Sequence, residues 1–287
     1  MEIKPSEMPL QSDGSVYHLN LHPDEIAHNI ILVGDPSRVA VVSSMFDVIE
    51  VKKQNREIIT HTGLYKNKRV SVLSTGMGTD NLDIVVNELD ALVNIDLQKR
   101  TPKETHTSLN LIRLGTCGGL QVDTDIDTCI ASAYSLGMDG LLHYYQHDAT
   151  VSEDDIVSEF ITQTAWHPHL PRPYAIAASA KLLEQIAFDI RKGITLTASG
   201  FYGPQCRMLR LPLAITDFTE KLQNIACKGL LFTNMEMESS ALYGLSKLLG
   251  HNALTICVVI ANRPKKLFSK EYHFVMDKLI EMTLERI

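Results

Sequence analysis

The sequence predicts an α/β fold: one domain over residues 1–287, with a central mixed, mostly parallel twisted sheet flanked by helices. Three observations predict it. About eight apolar, strand-like runs alternate loosely with helical patterns. Several of these runs end in glycine, arginine or a carboxylate, and open α/β sheets bind their ligands at strand carboxyl ends. No internal repeat and no linker-like stretch divides the chain.

After a polar lead (1–14) and the apolar piece Val16–Leu21, a strand from Asn29 ends in Gly34-Asp35-Pro36 and passes into a helical pattern, Ser37–Phe46. Gly34 admits close approach of a ligand to backbone. Arg38 at a helix start is either an anion site or a surface arginine after an ordinary turn. There is no GxxxxGK[ST] loop. A hairpin follows, Glu57–Thr62 and Arg69–Thr75, with Arg56 just ahead of it. The second strand runs through Ser74-Thr-Gly-Met-Gly78 into a helix over Asn81–Asn94. Residues 95–109 read as a surface connection with solvated basic side chains.

Leu111–Gly119 is a third strand with a Gly-rich end. Arg113 within it implies either a buried ion pair or a bound anion, because an unpaired buried guanidinium is costly. A fourth strand spans Thr128–Ala133. Residues 148–159 read as an acidic loop or lid, and Tyr174–Ile190 as an amphipathic helix. His143, His147, His167 and His169 lack the third ligand that a metal site would need.

Ile194–Ser199 is a strand opening into Gly200–Arg207. Phe201, Gln205 and Arg207 suit a flat, hydrogen-bonding ring, which an aromatic can stack, an amide can bond and a guanidinium can polarise. A loop with an incidental arginine is the alternative. A strand approach from Gly229 places Glu236 and Glu238 either side of Met237. A helix follows to Leu249, with Gly250 at its C-cap. These acids are either ligand-binding groups or a solvated helix start favoured by the macrodipole. Ala253–Ala261 is a buried strand ending at Asn262-Arg263-Pro264, and Ser269–Ile287 is a closing helix.

Net charge −7 and a pI near 5.9 argue against broad nucleic-acid or anionic-membrane surfaces, while leaving room for a local basic pocket. Five scattered cysteines without a CxxC pair indicate a reducing compartment. With no secretory h-region and no membrane-length apolar run, a cytoplasmic enzyme is expected.

Taken in order, the strand ends Gly34-Asp-Pro-Ser-Arg38, Leu111-Ile-Arg-Leu-Gly-Thr116, Phe201-Tyr-Gly-Pro-Gln-Cys-Arg207, Glu236-Met-Glu238 and Asn262-Arg-Pro264 resemble the nucleoside phosphorylase family and its uridine-cleaving branch. The resemblance runs from about Tyr17 to the C-terminal helix. It implies phosphate binding by Gly34, Arg38, Arg113 and Thr116, with Arg56 lent by a neighbouring subunit. It implies ribose binding by Glu236, Met237 and Glu238, with His18 lent from next door. The base would meet Cys117, Gly118, Phe201, Gln205, Arg207 and Arg263. Arg207, Gln205, Glu238 and Arg113 would carry the catalysis. The implied substrates are uridine and inorganic phosphate, with no organic cofactor, no nucleic acid and no membrane. The implied assembly is a homo-oligomer with shared sites, a hexamer assembled from dimers. Glu57 is the candidate ligand for a monovalent cation, K+, at a subunit interface.

Overall fold

The computed structural model describes residues 2–223 and 225–287, the side chain of Ala149 apart. Residue 1 of the polar lead lies outside the described residues.

In chain order, β1 (Asn29–Val33) leads through α1 (Ser37–Ser43) to the hairpin strands β2 (Val48–Asn55), β3 (Ile58–Tyr65) and β4 (Lys68–Ser74), then α2 (Thr79–Asn94). A small ribbon, β5 (Ile95–Asp96) and β6 (Thr101–Pro102), precedes β7 (Asn110–Gly119) and β8 (Cys129–Gly137). Next come α3 (Asp154–Thr164), β9 (Tyr174–Ala177), α4 (Ala180–Ile186), β10 (Arg191–Thr197) and α5 (Phe218–Lys221). The chain ends with β11 (Ala226–Cys227), β12 (Leu230–Glu236), α6 (Ser239–Leu248), β13 (Asn252–Asn262), β14 (Leu267–Phe268) and α7 (Tyr272–Arg286).

Twelve of the described strands form one mixed sheet, ordered β11-β12-β10-β8-β13-β7-β1-β4-β3-β2, with β9 on β8 and β14 on β13. Parallel pairing joins β4, β1, β7 and β13, and again β8, β10 and β12. Antiparallel pairing joins β13 to β8 at the middle and makes the β2-β3-β4 meander at one edge. The sheet also closes on itself. Gly118 and Gly119 of β7 pair with Met235 and Asn234 of β12, so β7, β13, β8, β10 and β12 form a ring. Two carboxyl ends that are far apart in sequence meet there.

The central strands are apolar throughout because both faces are covered. Along β1, Ile30 and Leu32 face the core under α2 and α6, while Ile31 and Val33 face the core under α7. In α2, Leu82, Val85, Val86, Leu89 and Leu92 recur at helical spacing and are buried. Helix α6 is buried over Ser239–Ser246, and its Ser, Ala and Gly content lets it pack closely. A third cluster gathers Phe160, Trp166, Phe218 and Phe232 at tilted or edge-to-face ring contacts of 5.3–5.8 Å.

Three sequence expectations need correction. Residues 148–159 are a loop only as far as residue 153, with a 3-10 turn at Ala149–Val151: α3 begins at Asp154, and its Ile156, Val157 and Phe160 are core side chains. The acids at its start, Asp154 and Asp155, suit a helix N-terminus rather than a solvated loop. Tyr174–Ile190 is not one helix, because Tyr174–Ala177 pairs with Leu136 and its neighbours as β9 before Ser179 caps the short α4. The strand Val48–Asn55 was not anticipated; its alternating exposure belongs to an edge strand with polar and charged residues on the open face. No helix among the described residues is long and apolar enough to cross a membrane.

Gly193 in β10 sits where the register slips against β8, one residue before the slip against β12. A Cβ there would lie 2.7 Å from Thr233 Cβ and nearer still to its Oγ1 and Cγ2. Gly193→Ala is therefore expected to lower stability by about 1–3 kcal/mol, read from the urea midpoint at unchanged slope.

Candidate active site

The strand ends enclose one cavity of about 790 Å³. Its wall includes Gly34 and Arg38 after β1, Thr116–Gly118 of β7, Glu236–Glu238 after β12, and Arg263 after β13. Phe201, Gln205 and Arg207 close it from the loop after β10. The sequence placed these residues in one site on spacing and resemblance, and the fold brings them together.

At its centre is a buried ion cluster. Arg113 donates through Nη2 to Glu238, lies 3.2 Å through Nη1 from Glu236, and places Nη1 3.4 Å from Cys257 Sγ. Of the two readings open for Arg113, the ion pair is present, and its guanidinium still forms part of the cavity wall. Burial opposes its charge, but the carboxylates of Glu238 and Glu236 outweigh that and hold the guanidinium well above its usual range. Glu236 is saturated: it accepts from Thr197 Oγ1 at 2.7 Å, from Glu238 N at 3.0 Å, and from Ser239 N at 3.0 and 3.1 Å. It thereby caps the start of α6. Glu238 accepts from Gly78 N at 2.9 Å and from Met237 N at 3.2 Å. Burial raises the Glu238 pKa against the pull of Arg113. Neither acid is a solvated helix start.

At one end, Arg38 sits half-buried beside Asp35, and its Nη1 reaches the Leu114 carbonyl at 3.4 Å. Burial lowers its pKa in spite of Asp35. Burial likewise opposes the Asp35 charge, yet the Ser37 N–H at 2.9 Å, with Arg38 near, keeps that carboxyl below its ordinary range. Gly34 and Gly76 approach so closely that a Cβ on Gly34 would touch the Gly76 carbonyl at 3.4 Å.

The loop end is internally braced. Arg207 lies 3.9 Å over the Phe201 ring and donates through Nη1 to the Phe201 carbonyl at 2.9 Å and to Gln205 Oε1. Arg263 donates to the carbonyls of Gln205 at 2.9 Å and Cys206 at 3.3 Å, so its fork holds the loop from below. Burial, then the Arg263 charge, pushes Arg207 down to about 10. Cys117 is buried in the wall, and desolvation with a Cys257 contact raises its pKa well above the thiol range.

The family model described as the phosphorylase superfamily matches residues 29–284. The chain belongs to that superfamily. Among curated relatives, the uridine phosphorylase of Thermococcus kodakarensis is 28% identical over 92% of this chain and 84% of its own length. A DeoD-type purine nucleoside phosphorylase of Listeria welshimeri is 30% identical over 84% of this chain and 85% of its own. A solved Trypanosoma brucei nucleoside phosphorylase, described as showing uridine phosphorylase activity, superposes with TM-score 0.87 at 31% identity, covering 97% of this chain and 98% of that one. The superfamily member described here is thus a nucleoside phosphorylase, a pentosyltransferase acting on a nucleoside and phosphate. Both uridine- and purine-cleaving relatives align with it, so membership leaves the base open.

Two expected site residues lie apart. Arg56 stands exposed in the turn between β2 and β3, at φ 53°, and His18 lies by α2; neither lines the cavity. Glu57 reaches the cavity rim but belongs to no group of three metal-ligating side chains among the described residues. The one such group is Asp90, His106 and His251, which sequence spacing gave no reason to associate. The histidines at 143, 147, 167 and 169 are not part of it. Met77, Asn81, Phe268 and Tyr272 also line the cavity and went unassigned. The first two follow a Gly-rich strand end, so the rule that found Arg38 could have found them. Phe268 and Tyr272 carry no local signal.

Because Arg113 offsets two buried acids, Arg113→Leu is expected to cost about 3–5 kcal/mol in a denaturant titration. Glu236→Gln is expected to cost less, since Arg113 retains Glu238.

Proposed function

We propose that the chain is a uridine phosphorylase, which converts uridine and phosphate reversibly to uracil and ribose 1-phosphate. One observation carries the choice of base: Gln205 and Arg207 are fixed against Phe201 at one end of the cavity, and among the described residues no carboxylate is a partner of Arg207. A departing purine is served by an acid at its N7, an atom that uracil lacks. A departing uracil gathers negative charge on its carbonyl edge, which a guanidinium stabilises without a proton.

In this reading Gly34, Arg38, Arg113 and Thr116 hold phosphate beneath C1′, with Arg56 from a second copy. Cys117 and Gly118 floor the base site, and Arg263 acts chiefly through the loop carbonyls it grips. Glu238 and Met237 hold the ribose, with Glu238 on its hydroxyls, while Glu236, expected from the resemblance to bind the sugar too, is already saturated by protein donors and fixes the turn that carries them. The C1′–N1 bond breaks and its electron pair goes to uracil. A phosphate oxygen forms the new bond to C1′, and its own negative charge stabilises the cationic sugar on the way. Holding both reactants in one cavity removes much of the encounter entropy, an effect that in favourable cases reaches about 7–11 kcal/mol. A cavity completed by His18 and Arg56 of a second copy requires at least a dimer, and the family resemblance extends the proposed assembly to a hexamer built from dimers.

Absorbance-monitored cleavage of uridine with and without phosphate, with inosine in parallel, tests the assignment. Uracil release that needs phosphate, with inosine inert, is the expected result. Release without phosphate would mean a nucleosidase, and inosine cleavage would mean a purine enzyme. Arg207→Ala should lower kcat/KM about 10²-fold with little change in the denaturation midpoint, and 2′-deoxyuridine should be the poorer substrate if Glu238 binds the 2′-hydroxyl.

A further inference from the structure

The strand-end cavity has a neighbour. A second cavity, of about 620 Å³, lies on the other side of the loop after β10. That loop is the partition: Phe201 and Gln205 line the first cavity, Tyr202, Gly203, Pro204 and Cys206 line the second, and Arg207 lines both. The turn is closed by its own hydrogen bonds. The backbone N–H groups of Gln205 and Arg207 both donate to the Tyr202 carbonyl, at 3.1 and 2.8 Å, and the Cys206 N–H donates to the Gly203 carbonyl at 3.0 Å. A ligand lying against Tyr202 and Pro204 therefore bears on Gln205 and Arg207 as one unit. The remaining wall includes Trp166, the sole tryptophan of the chain, with Leu213, Ile215 and Phe218. Trp166 is pinned by its Nε1–H, which donates to the Pro171 carbonyl at 2.9 Å, and by ring contacts with Phe160 at 5.3 Å and Phe218 at 5.8 Å. A space of this size, apolar and aromatic over most of its wall, has the dimensions of a small-molecule site. Its charges all have one sign. Arg207 and Arg210 line it and no Asp or Glu does, and Arg210 is exposed with no hydrogen-bond or ion-pair partner among the described residues.

We propose that this second cavity is a ligand site for a small aromatic anion, with its ring against Trp166 and Tyr202 and its acid group on Arg210. A cationic ligand would meet two guanidiniums, and a neutral apolar one would leave both unanswered. Arg207 couples the site to the base end of the strand-end cavity, because one side chain belongs to both walls. An anion in the second cavity draws on the charge that the departing base needs, so occupancy slows the bond-breaking step without weakening phosphate binding. The direction of that effect rests on the proposed function, whereas the site itself does not.

The probe is anilinonaphthalene sulfonate, a flat aromatic anion that fluoresces when it leaves water. One molecule should bind per chain of the native protein. At saturation it should quench Trp166 emission almost completely, because the indole is part of the wall. Arg210→Gln should weaken binding about ten-fold, the scale of one hydrogen bond to a charged group, while uridine cleavage without the dye stays within about two-fold. Arg210→Lys, which keeps the charge, should restore most of the affinity. Saturating dye should lower kcat for uridine about five-fold at unchanged KM for phosphate, and uridine should not compete it away. Absence of binding, as when a second copy covers the cavity, would overturn the site, and so would partial quenching or affinity indifferent to Arg210. Inhibition competitive with uridine would place the dye in the strand-end cavity and overturn the site as well. Dye bound through Arg210 with kcat unchanged would overturn the coupling. A protein that binds the dye through Arg210 yet cleaves no uridine would instead defeat the functional reading and leave the site standing.

Discussion

The site depends on one guanidinium buried between two carboxylates. A lone arginine inside a strand would be excluded from a core, and a lone glutamate at a buried helix start equally so. Together they are tolerated, because Arg113 answers Glu238 and Glu236 while backbone N–H groups of Gly78, Met237, Glu238 and Ser239 take up the remaining carboxylate oxygens. This arrangement fixes more than charge. It sets where β12 stops and α6 starts, and it holds the Gly-rich turn after β4 against the same acid. Such a cluster contributes little net stability against an apolar replacement, so its value lies in placement.

Placement also explains the uneven burial around the cavity. Gln205 and Glu238 are buried, whereas Phe201 is about half exposed at 49% and Met77 is open to solvent at 76%. Gln205 and Glu238 are thus enclosed by protein, and the side chains at the mouth face solvent. Arg263 grips the backbone carbonyls of the loop, which leaves Arg207 as the guanidinium braced against Gln205 and the Phe201 ring.

Much of this was legible in the sequence, for a physical reason. A strand end carrying a glycine or a charged residue is a local pattern, and five such patterns in order mark both fold and site. Arg38, Arg113, Gln205, Arg207, Glu236 and Glu238 were all reachable that way. What was not legible is pairing at a distance. The strand Tyr174–Ala177 reads as helix from its alanines, yet an open edge of β8 captures it. The acidic stretch around Asp154 reads as solvent-facing until Phe160 is seen among Trp166, Phe218 and Phe232. Phe268 and Tyr272 reach the cavity only because β14 folds back on β13. The Glu88 carboxylate meets His18 across 70 positions, a contact that leaves no trace in local spacing.

The ring closed by Gly118 and Gly119 against Asn234 and Met235 has a kinetic side. Arg113 and Glu238 are 125 positions apart, and β13 must slot between β7 and β8 before the ring is complete. Contacts of such long range are slow to form, because loop closure must precede any energetic return. The pocket is therefore a late product of folding rather than a preformed nucleus. During synthesis the chain holds no finished pocket until Tyr272 has emerged, so acquisition of ligand binding can report completion of the whole tertiary structure.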